Sequence, residues 1–359
     1  MSNFAPEKRL KEEKMDNKRP LLAHLSMFFA CAFWGLMAPL GKDAMTHGVT
    51  GIDMVTFRVA GAAVLFWITS LFVKREHVPV KDVFRLGLAG LFGLTLNQCG
   101  FTIGLSITSP INASIVTTSM PIFAMLLSAL ILKEPLTAKK VGGVLLGFSG
   151  AIILILSSAT ASSDKVGDIR GDILCLCAQL SFALYLSLFN PLVRKYSVFT
   201  VNKWMFTFAT LYILPFTFQH VAAIDFPNVP VSTWLETAFV VFICTYVCYI
   251  LTMNAQQTLR PTVVSVYNYV QPMVAVVVSV LTGLGIFKPA HAIAVVLVFF
   301  GVRFVTKSKS RRDMEMKNGC ANRTQSRARS SYAEPMEQRE ESRARSSYPE
   351  SRQRKTKSK

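Results

Sequence analysis

Polar side chains inside otherwise apolar runs are the residues of this sequence that could do chemistry. Asn268 and Gln271 lie within one long apolar run, and Thr117 and Thr118 lie within another. Amides and hydroxyls donate and accept hydrogen bonds without carrying a charge, so they suit the recognition of a small organic solute. These residue types therefore favour binding over the breaking of bonds.

Aromatic and amide residues recur at a fixed separation of 151 positions. Trp34 corresponds in this way to Tyr185, and Gln98 corresponds to Tyr249. Paired rings and amides suit a cavity that stacks on a small solute and hydrogen-bonds it. For each of these tyrosines, and for Tyr267, a role in core packing is the alternative.

The apolar runs contain no recognisable catalytic or metal-binding set. They hold no nucleophile–base pair, no acidic dyad and no cluster of His and Glu. Six of the seven cysteines lie in apolar segments and are expected to be small buried hydrophobes rather than disulfides or metal ligands. The sequence therefore predicts that the protein is not an enzyme and uses no metal or cofactor.

Few charged residues lie within the apolar runs. Arg58 is inside one run and Arg303 is late in another, and long arginine side chains can reach a membrane interface from such positions. Glu134 stands at the end of a third run, between Lys133 and Pro135. We expect structural and charge-balancing roles for Arg58 and Glu134, and we find no carboxylate placed as a proton relay.

Two copies of one segment position the polar residues. The stretch 110–150 matches the stretch 261–301 after a shift of 151 positions, with no gap. The shift places Pro121 on Pro272, and we expect both prolines to kink a helix about mid-span, because proline frees the carbonyl four residues earlier. Two kinked helices with polar side chains before the proline are predicted to line a solute cavity near the membrane midplane.

Composition places the chain in the membrane class. The 359 residues are 51% hydrophobic and 17% charged, whereas soluble domains carry about 25% charged residues. Apolar runs of spanning length predict an all-α polytopic membrane protein with ten transmembrane helices. The predicted spans are 21–40, 53–73, 84–105, 111–132, 141–158, 171–190, 201–219, 233–253, 262–284 and 290–306.

The net charge of +18 does not indicate a nucleic-acid partner, because half of the excess lies in one tail. Residues 307–359 hold 16 Lys or Arg against 7 Asp or Glu. The tail is low in apolar residues and contains a tandem duplication, SRARSSYAE and SRARSSYPE, so we expect disorder. A solvated tail without specific function is the simplest interpretation, and contact with anionic lipid headgroups is the alternative.

Lys and Arg in the short loops predict the orientation of the spans. They are concentrated after the even-numbered spans, which places both termini in the cytoplasm. Each half has five spans, so the second half enters the membrane from the opposite side and forms an inverted repeat. The predicted organisation is a cytoplasmic arm 1–20, a first repeat 21–158, an external linker 159–170, a second repeat 171–306 and the disordered basic tail 307–359.

The chain resembles the drug/metabolite transporter superfamily, and within it the EamA-type transporters. The motifs that carry the resemblance are Phe33-Trp34-Gly35 with Pro39 and Lys42, Arg58, Ser109 through Pro121, Lys133-Glu134-Pro135-Leu136, the run 142–150, Leu184-Tyr185, and Arg260 to Pro272. The resemblance implies a ten-helix inverted-repeat carrier with a central cavity, such as the exporters of amino acids and other small metabolites. The second half departs from the pattern, since Gly285 stands where the shift would place the counterpart of Glu134.

These features bear on three possible functions. The repeated helices favour a secondary transporter, and the family resemblance implies an exporter. The predicted location is a cell (inner or plasma) membrane. The predicted partners are a small-molecule solute and the lipid bilayer. A membrane-anchored scaffold that acts through its basic cytoplasmic tail is the alternative. An intramembrane enzyme is disfavoured, because the spans lack the residues that catalysis needs.

Deletion of residues 307–359 distinguishes the transporter from the scaffold. We expect a transporter to keep its flux, because the spans and the predicted cavity are unchanged, whereas a scaffold loses its cellular phenotype. The measurement is flux of a metabolite panel in proteoliposomes that contain the full or the truncated chain. Loss of flux by a truncated chain that still inserts into the membrane contradicts transport by the spans alone.

Overall fold

A computed structural model describes residues 5–308, except for residue 46 and the segments 109–112, 114–115, 160–168 and 282–288. This part of the chain is built from helices and contains no β-strand. Pro110, most of the predicted linker and the tail from residue 309 onward lie outside the described residues. The prediction of an all-α chain is confirmed.

Ten helical segments of the described chain match the ten predicted spans. They are α1 (Ala5–Ala44), α2 (Gly51–Ser70), α3 (Val80–Ile107), α4 (Met120–Ile131), α5 (Ala138–Ala159), α6 (Ile169–Leu188), α7 (Val198–Ala222), α8 (Val231–Thr258), α9 (Pro261–Val266, Tyr267–Tyr269 and Val270–Leu281) and α10 (Pro289–Thr306). Helix α1 begins at Ala5, so helical structure includes most of the stretch predicted as an arm.

Length and apolarity make five of the described helices able to cross a membrane. They are Pro20–Met37 within α1, and helices α2, α3, α6 and α8. Shorter apolar helices run over Met120–Ile131 and Ala292–Thr306. Large apolar side chains such as Leu130 and Phe216 remain exposed on the bundle, as expected where lipid rather than water covers the surface. The protein is a polytopic membrane protein.

Helix packing repeats with the period of the sequence. Helix α3 packs on α6 as its counterpart α8 packs on α1, and α4 packs on α6 as α9 packs on α1. Three further contacts, α2 with α7, α4 with α9 and α5 with α10, join helices that are each other's counterparts. Contacts between counterparts arise when a two-fold axis relates the halves, so the prediction of two inverted five-helix repeats is confirmed.

Details of the backbone also obey the shift of 151 positions. Helices α3 and α8 follow the N-cap prolines Pro79 and Pro230, which are counterparts. Each helix then contains a π-helical turn, at Leu91–Thr95 and at Phe242–Val247. A π turn changes the direction in which the following side chains point, and such turns are frequent at functional sites.

Helices α4 and α9 are interrupted just before their second proline. Helix α4 begins at Met120 after a turn at 118–119, so Pro121 occupies its first turn. In α9 a 3-10 turn precedes Val270, and Pro272 falls in the first turn of the helix that follows. Proline is tolerated there because the first N–H groups of a helix have no intrahelical partner. The chain therefore has a short break where the sequence predicted a mid-helix kink.

Small residues let α5 and α10 pack closely. A Cβ atom added at Gly143 would lie 2.9 Å from the carbonyl oxygen of Gly301, and one at Gly150 would lie 2.9 Å from that of Ala294. These two contacts are related by the shift of 151 positions. In membranes, helices associate closely when small residues let their backbones approach.

The neighbouring glycines of α5 provide a test of this packing. Gly143→Ala places a methyl group against α10 and should destabilise the fold by about 1–3 kcal/mol. Gly142→Ala meets nothing within 4 Å and should gain the higher helix propensity of alanine. Thermal unfolding of the purified protein should give a lower midpoint for Gly143→Ala and no decrease for Gly142→Ala. Equal midpoints would show that α5 and α10 do not touch there.

Candidate functional site

A cavity of about 100 Å³ is lined by both repeats. Seven of the residues predicted as solute-binding line it together with Pro272. They are Trp34, Gln98, Thr117, Thr118, Tyr249, Asn268 and Gln271. Convergent hydrogen-bonding groups and aromatic rings suit the recognition of a small organic molecule.

The cavity also contains residues that the sequence did not select. Asn97 and Gln179 add two amides, and Phe101 and Phe182 add two rings. An amide inside an apolar run is a usable signal, and it could have selected Asn97 and Gln179. The two phenylalanines carry no such signal, because core phenylalanines look the same in a sequence.

A hydrogen bond between counterparts lies in the cavity wall. Gln98 donates from Nε2 to the hydroxyl oxygen of Tyr249 at 2.8 Å, and both side chains are buried. Residues related by a two-fold axis touch each other only near that axis, so this pair places the pseudo-two-fold axis at the cavity. Trp34 packs edge-on against Tyr249 with ring centroids 6.0 Å apart, and its Nε1 donates to the carbonyl of Cys244 at 2.9 Å.

Asn268 and Gln271 form the polar wall contributed by α9. Gln271 donates from Nε2 to Oδ1 of Asn268 at 3.1 Å, and the thiol of Cys31 lies 3.5 Å from the same oxygen. The Nδ2 group of Asn268 has no hydrogen-bond partner among the described residues and is available to a solute. Across from it, Thr117 directs its hydroxyl back to the carbonyl of Ala113 at 2.8 Å, which satisfies that donor within the chain.

Arg58 is buried in the wall of the cavity and does not reach a membrane interface. Its side chain is 2% exposed. Nε donates to the hydroxyl of Thr245 at 3.0 Å, and Nη1 donates to the hydroxyl of Thr102 at 3.3 Å. These bonds tie α2 to α8 and α3, so the residue joins three helices at the cavity.

Two predicted tyrosines do not line the cavity. Tyr185 is buried and donates its hydroxyl to Oε1 of Gln256 at 2.9 Å. The hydroxyl of Tyr267 lies 2.8 Å from Nδ1 of His24. The ring of Tyr185 lies in the bundle core, and the partly buried ring of Tyr267 packs against that core. Core packing is the alternative that the sequence left open for each tyrosine. Neither tyrosine is among the residues that line this cavity.

Pro121 and Glu134 also lie away from the lining. Glu134, which follows α4, forms an ion pair of 2.5 Å with the buried Nζ of Lys140 at the start of α5. The hydroxyl of Thr262, at the start of α9, lies 3.5 Å from the same carboxylate. Glu134 thus links the ends of three helices, which fits a structural role.

Further charged contacts hold the same end of the bundle, where α3 and α9 begin and α6 and α8 end. The carboxylate of Asp82 accepts hydrogen bonds from Lys195 and Tyr196, each at 2.5 Å. Arg194 donates to the carbonyl of Leu259 at 2.9 Å. These contacts join the connection between α6 and α7 to α3 and α8. The positively charged loops predict that this end is cytoplasmic.

The ion pair sets the direction of one pKa shift. Donation to Asp82 raises the pKa of Lys195 above its usual range. A raised pKa means that the contact contributes its full stability below the pKa of an unfolded lysine and loses it only as pH rises through the raised value. The contact is therefore intact at physiological pH.

Asp82→Asn should loosen this end of the bundle. The substitution removes the charge that holds Lys195 and weakens the acceptor for Tyr196, so the connection between α6 and α7 should open more often. Hydrogen–deuterium exchange of residues 189–197 should accelerate several-fold, whereas Asp225→Asn, on an exposed connection, should leave it unchanged. Identical exchange in Asp82→Asn and the parent chain contradicts a fastening role.

Comparison with known families gives one match that covers most of the chain. The EamA-like transporter family matches residues 21–156 and again residues 169–307. The two matches coincide with the two repeats of the structure. The family resemblance stated from the sequence is thereby confirmed.

Individual proteins agree with the family match. An uncharacterized transporter of Bacillus subtilis, YetK, is 22% identical over 82% of this chain and 89% of its own length. A second one, YyaM, is 24% identical over 60% of this chain and 70% of its own length. A WAT1-related protein of Arabidopsis thaliana is 25% identical over 82% of this chain and 80% of its own length.

A solved crystal structure shares the fold. It superposes with a TM-score of 0.63 and 19% sequence identity, and the match covers 79% of this chain and 96% of that one. At this level of identity the likeness concerns the arrangement of the helices. It supports the ten-helix architecture independently of the polar residues in the cavity.

Proposed function

Because this chain belongs to the EamA-like transporter family, within the drug/metabolite transporter superfamily, we propose that it exports a small organic metabolite, such as an amino acid, across a cell membrane. The cavity shared by both repeats is the observation that carries the proposal. Its amides, hydroxyls and rings suit a solute held by hydrogen bonds and stacking. The solute passes through chemically unchanged.

Alternating access follows from the relation between the halves. An inverted repeat allows the two halves to exchange conformations, which closes one end of the cavity and opens the other. The hydrogen bond between Gln98 and Tyr249 lies on the axis of that exchange. Rocking of the two halves around a solute bound beside this pair would open the cavity first to one side of the membrane and then to the other.

Contacts between the two repeats lie at the end predicted to be cytoplasmic. Asp82 of the first repeat pairs with Lys195 of the second, and the carboxylate of Glu134 in the first lies 3.5 Å from the hydroxyl of Thr262 in the second. The cavity residues Met37, near the end of α1, and Arg58, in the first half of α2, lie toward the other end. We assign this conformation to the outward-facing stage of transport, with both termini in the cytoplasm of a cell whose inner or plasma membrane holds the protein.

Asn268→Ala and Gln271→Ala test the recognition site. Each substitution removes an amide from the cavity wall and should weaken solute binding by roughly 1–2 kcal/mol, which is about tenfold in affinity. The measurement is concentration-dependent flux in proteoliposomes for a metabolite panel that includes amino acids. Asn228→Ala, in the connection between α7 and α8, is the matched control and should transport normally.

The outcomes separate the proposal from its alternatives. A higher half-saturation concentration with normal membrane insertion supports recognition by these amides. Unchanged kinetics in both cavity variants removes the amides from the site. Absence of flux for every member of a broad panel by the unmodified protein contradicts transport itself.

A further inference from the structure

One charged side chain stands in a cavity wall that is otherwise neutral. Among the described lining residues, the charged one is Arg58, and the others are apolar, aromatic, hydroxyl or amide residues. Its counterpart under the shift of 151 positions is the buried Ala209. The equivalent position in the second half packs with an alanine, so the helix packing that both halves share does not require an arginine there.

The positive charge has no counter-ion in the described part of the chain. Its hydrogen-bond acceptors are the hydroxyls of Thr245 and Thr102, which are neutral. The acidic residue on the same helix, Asp53, forms no ion pair with Arg58. Its Oδ2 accepts from the backbone N–H and the hydroxyl of Thr50 at 2.9 and 2.5 Å, and its Oδ1 is buried without a hydrogen-bond partner among the described residues. Removing an unpaired charge from water costs several kcal/mol, and an ion of opposite charge offsets that cost.

The hydrogen bonds of Arg58 fix the orientation of its guanidinium and, among the described residues, leave some of its N–H donors free to bind a ligand. Nε and Nη1 are engaged by the two threonines, which fixes the plane of the guanidinium. Nη2 has no partner among the described residues, and the residue lines the cavity. Two anchored nitrogens and one nitrogen without a described partner, on a residue that lines the cavity, form a pre-oriented donor group. Guanidinium matches carboxylate oxygens in geometry and charge.

We propose that the transported solute carries a carboxylate group and that Arg58 binds it. This inference rests on the proposed function and narrows the solute from small organic metabolites in general to organic carboxylates. The carboxylate accepts hydrogen bonds from the guanidinium, with the Nδ2 group of Asn268 as a second donor on the same cavity. The body of the solute lies against Trp34 and Tyr249.

A purely structural role for Arg58 predicts something different. If the residue only joined α2 to α3 and α8, its replacement would lower the stability of the fold and weaken the binding of all solutes alike. Charge recognition instead predicts a preference between two ligands of the same shape, one anionic and one neutral. The preference can be measured in the unmodified chain, so the test does not depend on whether a variant folds.

The experiment measures binding of matched acid and amide pairs to the purified full chain in lipid nanodiscs. The probes are aliphatic and aromatic monocarboxylates and their primary amides, with 3-phenylpropionate and 3-phenylpropionamide as the aromatic pair. We expect at least one acid to bind at least tenfold more tightly than its amide. Arg58→Gln should abolish that preference, and Arg58→Lys should retain part of it. Arg303→Gln, at an exposed position of α10, is the matched control and should keep it.

Each outcome has a defined meaning. An acid preference that Arg58→Gln removes, in a variant that elutes as a folded monodisperse species, supports the assignment. If Arg58→Gln does not fold, the comparison of the unmodified chain with Arg58→Lys decides. Binding and flux of neutral amides equal to those of the acids would overturn carboxylate recognition while leaving transport intact. Absence of flux for all acids and amides alike would count against the proposed function instead.

Discussion

The contact between Gln98 and Tyr249 defines the geometry on which the site depends. Two residues separated by the period of the repeat share one hydrogen bond of 2.8 Å, so the symmetry axis of the fold passes beside them. The π turns of α3 and α8 precede these residues by a few positions in both halves. Each turn adjusts the rotation of its helix so that the two side chains meet.

The membrane explains why the helices break only where they do. Backbone groups that face lipid must be hydrogen-bonded within the chain, so a non-α turn at membrane depth requires protein or water beside it. The turn at 118–119 and the 3-10 turn Tyr267–Tyr269 both adjoin residues of the cavity. Irregular backbone, polar side chains and the cavity therefore occur together for one physical reason.

Periodicity and charge were sufficient to predict the ten helices, their repeat and most of the polar wall. Asn268 and Gln271 stand out in an apolar run because hydrocarbon gives them no partner. Tyr185 is predicted for the cavity as the counterpart of Trp34, and Tyr267 as a neighbour of Asn268, but neither lines it. The rotation of each helix depends on its neighbours, which the sequence pattern does not contain. The two π turns leave no mark in the residue pattern, and the threonine partners of Arg58 come from other helices, 44 and 187 positions away.

Arg58 in the first half corresponds to Ala209 in the second, and this difference between the halves has an energetic consequence. A carrier made of two identical halves would have inward-facing and outward-facing states of equal energy, because each state is the other viewed from the opposite side. A charge on one half alone is one of the sequence differences that remove this degeneracy. On the proposal that a carboxylate binds Arg58, the bound anion would neutralise this charge, which would couple occupancy of the cavity to the conformational exchange.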